Sequence, residues 1–126
     1  MTDSSSQPSL FFVGIDVAKD KLDLATSNDG RVETFPNDAD GHRAIIQSLG
    51  DRRPECIVVE STGGFERPLA DALLDAGLDV ALVNPRNVRH FATGMSILAK
   101  TDTIDARVLV RFAMLAAPRL LEKRSK

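Results

Sequence analysis

Apolar positions along this chain change their spacing several times, and each change marks a boundary between short elements. Residues 10–15, LFFVGI, are apolar apart from one glycine, as a buried central strand requires, and the run ends in Asp16. Residues 21–27 alternate, with Leu22, Leu24 and Thr26 on one side and Asp23 and Ala25 on the other, the pattern of a half-buried strand. Asn28-Asp29-Gly30 is a turn signal between antiparallel strands, and residues 31–35 alternate again until Pro36. A three-stranded antiparallel meander is predicted.

The spacing then lengthens. Asn37 or Asp38 can cap a helix that runs to Leu49, with Ala44, Ile45, Ile46 and Leu49 inward and Gly50 as its stop. Residues 56–60, CIVVE, form a short apolar strand that also ends in an acid, Glu60. A Ser61-Thr62-Gly63-Gly64 loop leads into a helix with Leu69, Ala70, Leu73 and Leu74 inward and Gly77 at its end. Residues 78–83 read as another strand, and Asn84-Pro85 opens a short helix. Residues 93–100 are expected to form a loop through Gly94, after which Thr101 or Asp102 caps a helix to Ala116 with Ile104, Val108, Phe112 and Leu115 on its buried side. The order is β-β-β-α-β-α-β-α-α, an α/β mixed sheet of three antiparallel strands followed by two parallel strands with crossover helices. Such crossovers are right-handed, and this order is that of the RNase H-like fold.

Composition adds limits. The 126 residues are 43% hydrophobic and 27% charged, which suits one globular domain. No apolar run approaches the ~20 residues of a membrane span, and residues 1–9 lack the features of a signal peptide. The single Cys56 allows no internal disulfide. A cytoplasmic protein is expected. Residues 1–9 should be a disordered leader, 10–117 the folded domain, and 118–126 a basic tail or the start of a truncated linker. Charge is divided unevenly: residues 1–85 hold 7 Lys and Arg against 15 Asp and Glu, and residues 86–126 hold 9 against 3. A basic carboxy-terminal third fits a polyanionic partner, although a solvated basic helix explains it as well.

The chemistry lies in the acids. Asp16 and Glu60 each terminate an apolar strand, where a carboxylate is costly unless something binds it. If the two strands are parallel neighbours, both acids enter one crevice at the strands' carboxyl ends. Two close carboxylates repel unless a cation sits between them, and Mg²⁺ suits oxygen ligands of this kind, with Mn²⁺ as a substitute. Either acid could instead cap the loop that follows it. Asp102 and Asp105 lie three apart at an expected helix start and share a face there, although capping explains them equally well. Four carboxylates are what a two-metal site for phosphoryl transfer needs. Arg86, Arg89, His90, Lys100 and Arg107 are candidate phosphate contacts, with surface solubility as the alternative. With no Trp or Tyr, base stacking by aromatic side chains is not indicated. His42 reads as a solvated or capping residue, and Asp20, Asp23, Asp71, Asp75 and Asp79 as residues of turns or exposed faces.

Three blocks, VGIDVAKDKLDLA, VVESTGGFERPLADALLDAGLDVALVNPRNVRHFA and AKTDTIDARVLVRFA, carry a resemblance. They resemble the amino-terminal RuvC-like domain of the DEDD transposases of bacterial insertion elements, the family that includes bridge-RNA-guided recombinases. The resemblance spans residues 13–113. It implies an RNase H-like (RuvC-like) domain at residues 10–117, with Asp16, Glu60, Asp102 and Asp105 as catalytic and Mg²⁺-binding acids in that order. Arg86, Arg89, Lys100 and Arg107 would then be nucleic-acid contacts in DNA transposition. Phe65 stands where the family commonly has tyrosine. The resemblance also implies DNA, a structured guide RNA and other transposase subunits in a homo-oligomer as partners, and no membrane. Family members continue into a second domain with a nucleophilic serine that works with the metal site of another subunit; nothing here matches it. A truncated gene product, a frameshifted remnant or an excised domain, inactive alone in strand cleavage and transfer, is therefore expected. Two rivals stay open: an actin-like or sugar-kinase ATPase half-domain, and a catalytically idle module that binds nucleic acid or a transposase.

Overall fold

Five strands form one sheet in the order β3-β2-β1-β4-β5: β1 (Phe12–Val17), β2 (Lys21–Thr26), β3 (Val32–Pro36), β4 (Cys56–Glu60) and β5 (Val80–Val83). The computed structural model describes residues 11–28, 30–61, 63–97 and 104–121. Expectations placed on residues 1–10, Asp29, Thr62, Lys100, Thr101, Asp102 and residues 122–126 lie outside them. β1, β2 and β3 pair antiparallel, while β1–β4 and β4–β5 pair parallel. This is the mixed sheet that the sequence pattern predicts.

Helices cover both faces: α1 (Ala39–Leu49) and α2 (Arg67–Asp75) on one, α3 (Pro85–Gly94) and α4 (Ala106–Ala116) on the other. Strand parity decides which side chains each pair meets. Val13, Ile15, Val17, Ile57 and Val59 join Ile45, Leu49, Leu69 and Leu73 in the first core. Cys56, Val58, Ala81 and Val83 join Val88, Leu109 and Ala113 in the second. Each fully buried Leu or Ile contributes about 1.5–3 kcal/mol. The first face, with Ile15, Leu22, Ile45, Ile57, Leu69 and Leu73 all fully buried, therefore carries most of the apolar burial. Among the described residues no helix is long and apolar enough to cross a membrane.

The second face gains by closeness instead. A Cβ on Gly14 would stand 2.6 Å from the Ala106 carbonyl oxygen and 2.7 Å from the Val110 nitrogen, so α4 lies almost directly on β1. On that side α4 buries Ala106, Leu109, Val110 and Ala113. The expected stripe of Ile104, Val108, Phe112 and Leu115 is thus displaced. Its first three members are half-buried at the margin, where Phe112 packs edge-on against Phe91 of α3, and Leu115 is 51% exposed.

Helix starts follow local chemistry. Asp38, not Asn37, caps α1, accepting from the Gly41 N–H at 2.8 Å. Asn84 caps α3 by accepting from the Arg86 N–H at 2.7 Å, with Pro85 in the first turn. α3 continues through Thr93 and Gly94, where the sequence pattern predicts a loop. Ala106 begins α4, later than the expected start at Thr101 or Asp102.

Candidate functional site

Register brings the two strand-end acids together. β1 and β4 are parallel with Ile15 opposite Val59, so Asp16 and Glu60 stand side by side one residue further on. Ile15 and Val59 face α1 and α2, which turns both acids to the α3–α4 side. Their carboxyls are hydrogen-bonded to one another. Burial, then that hydrogen bond and then the Asp16 charge push the Glu60 carboxyl up to about 8 from an ordinary 4.5. Near neutral pH the Glu60 carboxyl therefore keeps its proton, which it can donate to Asp16.

Several backbone N–H groups in the loops that follow the two acids are committed elsewhere. The Gly64 N–H, which lies within loop-capping reach of Glu60 in the sequence, donates instead to Glu66 Oε1 at 3.1 Å. The Ser61 N–H donates to the Val83 carbonyl, and the Ala18 N–H to that of Lys21. Glu66, only 6% exposed, is a buried carboxylate that its place beside a helix start did not announce.

The remaining predicted residues divide. Asp105 is the N-cap of α4, accepting from the Arg107 N–H at 3.0 Å and the Val108 N–H at 3.2 Å, with the Arg107 guanidinium 3.3 Å from its other oxygen. It therefore precedes the helix; the expected shared face with Asp102 involves a residue outside the described ones. Asp105 adjoins Ala106, the residue pressed on Gly14, so the start of α4 lies over β1, the strand that carries Asp16. Arg86 and Arg89 line an open cleft of about 430 Å³ together with Glu60, Pro85 and Ile104. Both arginines thus share a cleft with Glu60. His90 is on the same helix, and Lys100 lies outside the described residues.

Among the described residues no group of three or more His, Cys, Asp or Glu side chains could hold a metal ion. The two-carboxylate pair still has the chemistry of a hard-cation site: oxygen donors, mutual repulsion when ionised, and a proton on Glu60 whose place a dication can take. Mg²⁺ is often bound by one or two carboxylates, with water and substrate phosphate completing its shell. Asp16 and Glu60 fit that role.

Sequence reasoning misses His42. It is 6% exposed, its Nε2 lies 2.8 Å from Asn37 Oδ1, and burial lowers its pKa against the opposing Asp38 charge. Cys56 is buried as well, its thiol pushed up to about 11 by burial and then by Asp79. That leaves the thiol unreactive near neutrality.

Comparison with known proteins bears on the family and the fold. The DEDD transposase model of the IS110 type, described as a transposase, matches residues 13–126. The chain is 28% identical over 120 residues to the pilin gene-inverting protein of Moraxella lacunata, covering 90% of this chain and 37% of that protein. The corresponding protein of Moraxella bovis is 27% identical over 120 residues with the same coverage. The chain thus spans 37% of the length of the curated relatives it matches. RuvC of Thermus thermophilus has a TM-score of 0.60 and 16% identity, covering 89% of this chain and 100% of that one. The same organism's RuvC in complex with a Holliday junction substrate has a TM-score of 0.61 at the same identity and coverage. At that identity the likeness is one of fold, and the fold is RuvC-like.

Proposed function

Because the chain belongs to the DEDD transposase family of the IS110 type, we propose that it is the RuvC-like domain that binds a divalent cation and DNA phosphates during transposition. The observation that carries this reading is the Asp16–Glu60 pair, two hydrogen-bonded carboxyls at neighbouring strand ends beside an arginine-lined cleft. Mg²⁺, with Mn²⁺ as substitute, would supply electrostatic stabilisation of a phosphodiester during strand cleavage and transfer.

Asp16 and Glu60 are the ligands in this account. Asp105 would join them once its carboxylate turns from its own helix N-terminus, and Asp102 would complete the set by its place in the motif. Arg86 and Arg89 would hold backbone phosphates against the pair, a sequence-independent contribution that weakens with salt. Lys100 and Arg107 would extend that basic surface. DNA is the partner that this arrangement recognises; a structured guide RNA and further transposase subunits are partners proposed for the whole transposase.

Calorimetric titration with Mn²⁺ tests the reading. The unaltered chain should bind, and Asp16→Asn should abolish binding while keeping the fold, as judged by circular dichroism. Equal binding by both would sink it.

A further inference from the structure

We propose that Asn37 is a positioning residue for the Asp16–Glu60 pair, its side-chain amide tying together the two chain segments that leave the acidic strand ends. The inference rests on the reading of that pair given under Proposed function. Asn37 Nδ2 donates to the Ala18 carbonyl at 2.9 Å and to the Phe65 carbonyl at 3.2 Å. Ala18 is two residues beyond Asp16 and Phe65 five beyond Glu60, so one amide spans the exits of β1 and β4. The Asn37 backbone N–H adds a third tie, to the Asp20 carbonyl at 3.0 Å.

The chemistry requires asparagine. Two carbonyl acceptors need two N–H donors on one nitrogen, which a primary amide has and a carboxylate or hydroxyl lacks. With both donors committed, Oδ1 faces His42, and the neutral imidazole must carry its proton on Nε2 to donate there. His42 is buried in the first turns of α1, so it fixes the amide's orientation from a rigid element. The helix itself is docked hard: a Cβ at Gly41 would overlap the Pro36 carbonyl. Asp38 provides the α1 cap, which leaves the Asn37 side chain for this bridge.

Partners bonded directly to metal ligands typically change metal affinity by about 10–100-fold when removed, and Asn37 acts one step further out, through the backbone beyond each acid. Asn37→Ala should therefore raise the Mn²⁺ dissociation constant by roughly tenfold, the lower end of that range, measured at a temperature where circular dichroism shows the variant folded. Asp38→Ala is the control, because it removes the α1 cap and lowers thermal stability while leaving the bridge intact. Its Mn²⁺ affinity should stay at the parent value. A second readout needs no metal: the side-chain carboxyl ¹³C resonances of Asp16 and Glu60 should move in Asn37→Ala and stay in Asp38→Ala. His42→Leu, which removes the donor to Oδ1, should move them in the same direction and serves if Asn37→Ala does not fold.

Unmoved carboxyl resonances in the folded Asn37 or His42 variant would overturn the proposal, as would equal losses of Mn²⁺ affinity in Asn37→Ala and Asp38→Ala. Moved resonances in a chain that binds no Mn²⁺ would uphold the bridge and remove only the metal reading.

Discussion

Asp16 and Glu60 stand on adjacent parallel strands, one residue past the Ile15–Val59 register pair, and their carboxyls are joined by a hydrogen bond. The same parity that buries Ile15 and Val59 against α1 and α2 forces both acids to the opposite face. Sliding either strand by one residue would turn its acid into the apolar core. The acid pair and the hydrophobic core are therefore fixed by one and the same register.

That pairing makes stability depend on pH. The Glu60 carboxyl is raised to about 8 in the fold against 4.5 as an unperturbed group. An acid that holds its proton more tightly when folded favours folding at low pH, and this contribution is lost as pH rises from about 4.5 towards 8. Thermal unfolding of the metal-free chain should show Glu60→Gln and the parent equally stable near pH 5. At pH 8 the variant should be the more stable by at least about 3 °C. A pH-independent difference would contradict the proton held by Glu60.

Gly14 sets how closely α4 approaches. Gly14→Ala would place a Cβ 2.6–2.8 Å from Ala106, Val110 and Leu109 atoms, two of them backbone atoms that cannot rotate away. Overpacking of this kind costs about 1–3 kcal/mol. Urea denaturation should show that loss, whereas Gly94→Ala, with nothing within 4 Å, should not.

Asp105 is both helix cap and candidate ligand, and two substitutions separate these roles. Asp105→Ala removes the acceptor for the Arg107 and Val108 N–H groups and should cost about 1 kcal/mol. Asp105→Asn keeps a good cap and should leave stability within about 0.5 kcal/mol of the parent. Both should weaken Mn²⁺ binding if the carboxylate serves the ion; unaltered binding in Asp105→Asn would confine it to capping.

Much of this arrangement is legible in the chain, for physical reasons that differ by element. Asp16 and Glu60 stand out because an acid ending an apolar strand is costly without a partner. The start of α4 is not legible, since Thr101, Asp102 and Asp105 are all competent caps and only packing against β1 selects among segments. Its buried stripe is misjudged because periodicity favours large side chains such as Phe112 and Leu115. The close approach over Gly14 selects Ala106 and Ala113 instead. His42 reads as solvated because its partner, Asn37, precedes the helix and carries no helical spacing signal.

Arg86 and Arg89 line the cleft beside Glu60. Removing one phosphate-binding cation should reduce the slope of log affinity against log salt by about 0.9 for duplex DNA. Arg86→Ala, measured by fluorescence anisotropy over a range of salt concentrations, should show that reduction with similar effect on unrelated sequences. An unchanged slope would remove Arg86 from the phosphate-binding surface.

In the proposed site a dication takes the place of the proton that Glu60 holds beside Asp16. Calorimetric titration with Mn²⁺ at pH 7, repeated in buffers of different ionisation enthalpy, counts the protons released on binding. The parent chain should release about one proton per ion at pH 7 and progressively fewer as the pH is raised through about 8, where Glu60 has already ionised. Binding without proton release by the parent chain would contradict it.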